Sequence, residues 1–332
     1  MIVRGETVDP FLERLETHAQ TARDRAPESA SAALSPQVAS ERSLLESIQR
    51  RDDQLAFWQS PVARAAVNRR VTGDPGLAPE AYLAARHGPA MPVPYALSLR
   101  AGDARLETAL VQGGWCEHVT GLDLDQQRVQ GANLAVPAAL RAQVSFRHGD
   151  LAAWVPPEPL GAVIARSVLH RQAQLEETLD HVLAMLAPGG VVFVDEFVGP
   201  ACFQWTDAQL RAINRLLACL PDEFLLDLSA EDGRRKRDVG RPDPADYTES
   251  NPTDAVRSDE ILACLDERFE RVEVHLYGGA LYHQFFTRIM GNFASRPELV
   301  SLVMEVDAML TDAGVLSSDY VWGVWRRPLE GP

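Results

Sequence analysis

The side chains best suited to chemistry in this sequence follow short apolar runs. Asp123 ends His118-Val-Thr-Gly-Leu-Asp123, and Asp150 ends Val144-Ser-Phe-Arg-His-Gly-Asp150. A carboxylate at the tip of a strand can accept from both hydroxyls of a ribose, and a strand feeding a tight turn and a helix aims backbone N–H groups at whatever lies over the turn. The run Tyr95-Ala-Leu-Ser-Leu99, the turn Arg100-Ala-Gly-Asp-Ala104 and the helically spaced Arg105–Gln112 have that form. An Asp after a strand serves equally well as a turn or helix cap, so the residues alone leave both readings open. The candidate bases are His170, His283 and Glu196. His170 follows the run Ala162–Ala165, Glu196 ends Val191-Val-Phe-Val-Asp-Glu196, and His283 closes Tyr277-Gly-Gly-Ala-Leu-Tyr-His283. Each histidine also suits a hydrogen-bonded structural role, and Asp195-Glu196 suits a strand-end pair bonding a loop backbone.

These residues need elements to hold them. From Tyr95 onward, apolar runs alternate with helical spacing, the pattern of a parallel sheet with crossover helices. Helices are expected over Gln126–Val136, Leu175–Leu186, Asp207–Leu220, Asp259–Arg268, Leu281–Phe293 and Leu299–Ala313. Strands are expected at Val144–Phe146, Ala162–Ala165, Val191–Val194, Val272–Leu276 and Tyr320–Trp325. Before Tyr95 the chain reads as helical, over 10–25, from Ser40 to Phe57-Trp58, and over Val62–Val71 with Pro61 in the first turn and Gly73 at the stop. The divisions that follow are a helical cap over 1–92, a core over 93–200, a helical and loop lid over 201–258 containing the charged Ser229–Asp246 stretch, and a completion of the core over 259–332.

Composition narrows the partners. With Lys+Arg 32 against Asp+Glu 47, the net charge of −15 repels nucleic acid and anionic membranes alike. Lys236 is the sole lysine. Cys116, Cys202, Cys219 and Cys264 show no C-x-x-C spacing, so no metal and no disulfide framework is expected. Neither a signal peptide nor a membrane-spanning apolar run is visible, and a cytoplasmic location is the expectation.

Together these segments resemble the class I S-adenosylmethionine-dependent methyltransferases, from about Phe57 to Arg327. Leu186-Ala-Pro-Gly-Gly-Val-Val-Phe-Val194, Gly121-Leu-Asp-Leu124 and His148-Gly-Asp-Leu151 carry the likeness. Phe57-Trp58, Asn68-Arg-Arg-Val-Thr-Gly-Asp74 and Asp195-Glu-Phe-Val-Gly-Pro200 are similar to a narrower bacterial subgroup, mostly without assigned substrates. The resemblance implies a Rossmann-like α/β fold, a seven-stranded mostly parallel sheet with helices on both faces, with an N-terminal helical cap and an inserted lid. It implies S-adenosylmethionine as cofactor, a small-molecule substrate, no nucleic acid or membrane partner, and leaves a homodimer open. Carried over, Gly102 lies under the methionine part, Asp123 accepts from the ribose, Leu124 packs on the adenine, and Asp150, with Leu151 beside it, accepts from its amino group. Arg166, Ser167 and His170 stand beside the sulfonium and the acceptor. Trp58, Arg69, Arg70, Trp205, Tyr247 and Tyr282 suit an aromatic and cationic acceptor pocket, although Phe57-Trp58 also suits a packing staple.

The chain departs from the family's acid-x-Gly-x-Gly-x-Gly turn, reading Ser98-Leu-Arg-Ala-Gly-Asp-Ala104. Ser98 stands for the acid that engages the methionine amino group, and Ala104 adds a Cβ that is strained where φ is positive. Arg100 has three readings: turned outward, paired with a ligand carboxylate, or filling the methionine pocket. Two functions follow, a methyltransferase for a small metabolite or a methyltransferase-like protein that binds or reacts differently.

Overall fold

The computed structural model describes residues 57–87 and 93–329, all within the unit Asp53–Pro332. The expected helices over 10–25 and from Ser40 lie outside the described residues, apart from the stretch at Phe57-Trp58. Helix α1 (Pro61–Thr72) begins where expected, with Ser60 Oγ accepting from Ala63 N and Pro61 in its first turn. Gly73 ends it at φ 81°, a left-handed conformation that costs glycine little. Helix α2 (Pro79–His87) follows and is absent from the sequence expectation.

Strands β1 (Val93–Ser98), β2 (Cys116–Asp123), β3 (Val144–His148), β4 (Leu160–Arg166), β5 (Leu186–Phe197), β6 (Glu270–Gly278) and β7 (Tyr320–Arg326) form one sheet in the order β3-β2-β1-β4-β5-β7-β6. All pair in parallel except β7, which runs antiparallel to β5 and β6. The reversal puts the C-terminal ends of β1, β2, β4, β5 and β6 on one edge. In doubly wound sheets that edge is where ligands bind.

Alternate strand residues feed two separate cores, as the two-residue repeat of a strand requires. Ala96, Ile164, Phe193 and Val324 pack with α1, with α3 (Arg105–Gln112) and α4 (Gln126–Ala135), and with α10, defined below. Leu97, Val163, Ala165, Val192 and Val194 pack on the opposite face with α5 (Leu175–Met185) and with α8. Burial on both faces explains why β4 and β5 read as unbroken apolar runs rather than as alternation.

Several boundaries differ from the sequence expectation. The turn Ala187–Gly190, expected to close a helix, is instead part of β5, which begins at Leu186. Helix α6 (Asp207–Ala218) ends two residues before the expected Leu220, and Thr206 caps it with Gln209 completing a reciprocal capping box. Helix α7 (Pro244–Ser250) and helix α8 (Ile261–Asp266) are short. The helix expected over Leu281–Phe293 is α9 (Tyr282–Phe286) and a separate 3₁₀ turn at Met290–Phe293, broken by Arg288 at φ 67°. Helix α10 is Pro297–Asp312. No helix among the described residues is long and apolar enough to cross a membrane.

Candidate functional site at the strand tips

The turn after β1 leads straight into α3, whose N-cap residue is Ala104 at φ 60° and ψ 6°. The Cβ expected to be strained is therefore in the left-handed region, at a cost of about 1 kcal/mol. Gly102 lies over open space, since a Cβ built there meets nothing within 4 Å. Ser98 Oγ donates to Glu107 Oε1 at 2.7 Å, and both side chains are buried. Burial pushes the Glu107 carboxyl up from its ordinary range. Glu107 escaped the sequence reading, yet it is an acid one turn before Val111 on a face that also carries Leu106 and Leu110.

Asp123 ends β2 as expected, but its carboxylate is already engaged. Arg128, from α4, donates Nε to Oδ2 at 2.9 Å and Nη2 to Oδ1 at 2.7 Å. Ala101 N (3.2 Å) and Asp125 N (2.8 Å) add one bond to each oxygen. These donors outweigh burial and hold the Asp123 carboxyl below the usual range. Leu124 stands beside it, 70% exposed. Asp150 accepts from Ala152 N at 3.2 Å, capping the 3₁₀ turn that Leu151 begins. The cap and the edge position thus coincide at one residue.

At the tip of β4, Arg166 reaches Asp195 Oδ2 and Glu80 Oε1, each at 3.5 Å. Ser167 follows at φ 51°, and its carbonyl accepts from Arg100 Nη1 at 2.7 Å. Arg100 therefore turns inward across the edge, from the tip of β1 to that of β4.

His170 and Glu196 come together. His170 Nδ1 lies 2.7 Å from Glu196 Oε2, while Oε1 accepts from Leu169 N at 2.7 Å and from Val168 N. Both meanings of the strand-end acid hold at once, because one oxygen fixes the loop after β4 and the other orients the imidazole. Both residues are buried, His170 at 8% and Glu196 at 1% exposure. With Nδ1–H donating to the carboxylate, Nε2 presents the lone pair. Asp254 Oδ1 stands 3.6 Å from Nε2 and 3.5 Å from Arg171 Nη2, and Tyr247 donates its hydroxyl to Asp254 Oδ2 at 3.2 Å. Asp254 was not singled out from the sequence, whereas Arg171 stands where the family often has a second histidine. Arg171 adjoins His170, but Asp254 sits in a Pro- and Thr-rich turn with no local signal.

His283 does not join that pair in a hydrogen bond. Its ring is boxed by Phe197, Phe203, Trp205 and Tyr320, with centroids 5.5–6.0 Å away. Burial pushes it down to about 4, and Nδ1 is buried without a partner. It is neutral at pH 7.

The six expected pocket residues divide. Trp205 stacks on Phe203 at 5.2 Å, and Tyr247 meets Phe203 edge-on at 5.3 Å, next to His283. Tyr282, Arg69 and Arg70 instead line a cavity of about 60 Å³ between α1 and α10, with Tyr277 and Asp307. Arg70 is held by Asp312 at 2.6 Å, while the exposed Trp58 meets Phe57 edge-on at 5.3 Å and Phe57 stacks on Tyr282 at 5.2 Å. The two groups meet at Tyr320, whose ring is parallel to that of Tyr282 at 6.3 Å.

Gly278 and Gly279, both at φ 98°, make the corner between them. A Cβ at Gly278 would lie 2.1 Å from Asp307 Oδ2. Asp307 accepts from Gly279 N at 3.0 Å and Leu281 N at 2.6 Å, and burial pushes it up to about 6. Asp319 accepts from Gln209 Nε2 and is pushed up to about 8 by burial and by Asp307 nearby. Among the described residues, no group of three or more His, Cys, Asp or Glu side chains is placed to hold a metal ion.

Residues 98–194 match the family described as a methyltransferase domain. The trans-aconitate 2-methyltransferase of Sinorhizobium medicae (strain WSM419) is 28% identical over 141 residues, covering 42% of this chain and 49% of that protein. The chain thus spans about half the length of the curated relatives it matches. An S-adenosylmethionine-dependent methyltransferase structure from Mesorhizobium loti is similar at 16% identity and TM-score 0.43, covering 75% of this chain and 97% of that one. The N-methyltransferase NodS from Bradyrhizobium japonicum WM9, solved with S-adenosyl-L-homocysteine, is similar at 13% identity and TM-score 0.42, over 86% and 97% of the two chains.

Proposed function

We infer that this chain, whose residues 98–194 are a methyltransferase domain of the class I S-adenosylmethionine-dependent family, transfers a methyl group to a small-molecule acceptor. The observation that carries the reading is His170, held by Glu196 at the tips of β4 and β5 and beside the turn that follows β1.

Two features support a fit to the family's cofactor. The space over Gly102 is open where backbone would approach a ligand, and Asp123 ends β2 with the exposed apolar Leu124 beside it. In this reading Asp123 holds ribose hydroxyls, Asp150 the adenine amino group, and Leu124 and Leu151 its faces. When bound, S-adenosylmethionine supplies a methyl group on a cationic sulfur, open to in-line attack. The chain's part is to align the acceptor and take its proton. His170 Nε2 receives that proton, and Glu196 on one side and Asp254 on the other stabilise the imidazolium. The Trp205, Phe203 and Tyr247 rings form the neighbouring wall. A small acid as acceptor is supported by relatives whose names specify trans-aconitate.

The test is formation of S-adenosylhomocysteine over a panel of small hydroxy and amino acids, whose hydroxyl or ammonium carries the proton that His170 takes. His170→Gln should slow turnover by about a hundredfold or more while leaving S-adenosylhomocysteine affinity within about threefold. An unchanged rate removes His170 from the mechanism.

A second reading is favoured by one observation, the saturation of Asp123 by Arg128 and two backbone donors. A chain that has closed its ribose carboxylate on itself binds or reacts without methylating. Absence of S-adenosylhomocysteine binding at about 1 mM selects this alternative.

A further inference from the structure

We propose that Arg100 and Arg171 form a carboxylate-binding subsite at the tips of β1 and β4. The starting observation is an imbalance of partners. The carboxylates at the tips of β2 and β5 are taken: Asp123 by Arg128, Glu196 by His170 and two backbone N–H groups, and Asp195 by Tyr277 and Arg166. Asp254 is shared among Tyr247, His170 and Arg171. Arg100, half-buried at the edge, makes one side-chain hydrogen bond among the described residues, to the Ser167 carbonyl. A guanidinium has five N–H donors, and a partly desolvated one without a carboxylate is costly.

The neighbouring charges add to the imbalance. Desolvation, followed by the charges of Arg171 and Arg128, outweighs the opposing Asp123 and Glu196 carboxylates and pushes Arg100 down to about 10. Arg171 reaches Asp254 only at 3.5 Å, and its Nε is buried with no hydrogen-bond partner. In a chain of net charge −15, two interacting guanidiniums, neither with a carboxylate closer than 3.5 Å among the described residues, mark a place for an anion from outside. The planar fork of Arg100 suits a carboxylate, which can accept two parallel N–H bonds. Such a ligand would displace the Ser167 contact.

The subsite rests on the proposed reading of this edge as the ligand site, and a carboxylate there has two sources: the amino-acid tail of the cofactor or a free acid acting as acceptor. Calorimetry on the full chain separates them. The probes are S-adenosylhomocysteine, 5′-methylthioadenosine, which lacks the tail, and citrate. If the tail is the source, Arg100→Ala weakens S-adenosylhomocysteine by about tenfold or more and leaves methylthioadenosine unchanged. If a free acid is the source, both nucleosides keep their affinity while citrate binding falls about tenfold or more in Arg100→Ala and in Arg171→Gln. Arg100→Lys, which keeps the charge without the fork, should fall between wild type and alanine and guards against a folding defect.

The subsite is overturned if Arg100→Ala changes none of the three affinities, or if it tightens both nucleosides alike, which is the behaviour of a steric plug. Its failure is distinct from failure of the methyltransferase reading. Wild type that binds citrate but neither nucleoside keeps the subsite and sinks the cofactor. Wild type that binds S-adenosylhomocysteine independently of both arginines does the reverse.

Discussion

Asp319 offers a stability test that is independent of any ligand. Its carboxyl is buried at 1% exposure, bonded by Gln209 Nε2 at 3.2 and 3.3 Å, and pushed up to about 8 against an ordinary 3.8. A raised acid binds its proton more tightly when folded. Its stabilising effect is therefore full below about pH 4, falls as pH rises, and is gone above about pH 8. One proton changes stability by about 1.4 kcal/mol per pH unit across that window. Two other groups overlap its lower part. Asp307, pushed up to about 6, adds a loss in the same direction up to about that pH. His283, pushed down to about 4 from 6.5, opposes it up to about pH 6.5, because the unfolded imidazole binds a proton that the folded one refuses. Glu107 and Asp195, also raised by burial, act in the same direction, so the comparison with Asp319→Asn isolates Asp319, and from pH 6.5 to 8 the wild type should lose about 2 kcal/mol more than the variant. Asp319→Asn keeps an acceptor for Gln209 and cannot ionise, so it should lack that extra loss. Urea unfolding followed by fluorescence of the buried Trp205 and Trp322 measures both proteins. Parallel pH dependence in wild type and Asp319→Asn would refute the assignment of a raised carboxyl.

The remaining predictions concern the turn, the clamp and the corner. Arg128→Ala frees Asp123 for hydroxyl donors and should tighten S-adenosylhomocysteine by about tenfold, the scale of one charge-assisted bond that no longer has to be broken; weaker binding in calorimetry would mean that Arg128 orients the carboxylate rather than blocking it. Ala104→Gly relieves the left-handed N-cap and should raise stability by up to about 1 kcal/mol, less the entropy glycine gains when unfolded. Gly278→Ala drives a methyl group into Asp307 at 2.1 Å, so a loss of about 3 kcal/mol or more is expected in the same urea assay, and a loss under about 1 kcal/mol would show that the corner can move.

Much of this could be read from the chain because local rules agreed with the fold. Arg105–Gln112 lies between a strand and a Gly-Gly stop, and α3 has those bounds. The unbroken apolar run Val191–Val194 could belong only to a central strand, and β5 is one. Strand ends placed Asp123, Asp150, Arg166, His170 and Glu196 on one edge without further information. What could not be read depends on tertiary partners. Asp123 was legible as an acid at a strand tip, but not as one closed by Arg128, because nothing in the spacing of five residues says which way a guanidinium turns. Trp205 and Tyr282 look alike as exposed-cap aromatics, yet packing sends one to the His283 box and the other to the α1–α10 cavity. Asp254 reaches His170 from a turn more than eighty residues away, a contact fixed by loop packing alone. Glu107 was the nearest miss, since an acid on the apolar face of a helix needs a buried partner, and Ser98 was already under suspicion.

The central claim is that the edge over Gly102 and Asp123 holds the adenosine of S-adenosylmethionine. A crystal structure of the chain with S-adenosylhomocysteine tests it most directly. The account predicts ribose hydroxyls within about 3 Å of the Asp123 carboxylate, the adenine against Leu124, and Arg128 turned away from at least one Asp123 oxygen. Adenosine bound elsewhere, or an Asp123 still bonded to Arg128 through both oxygens with no hydroxyl beside it, would contradict it.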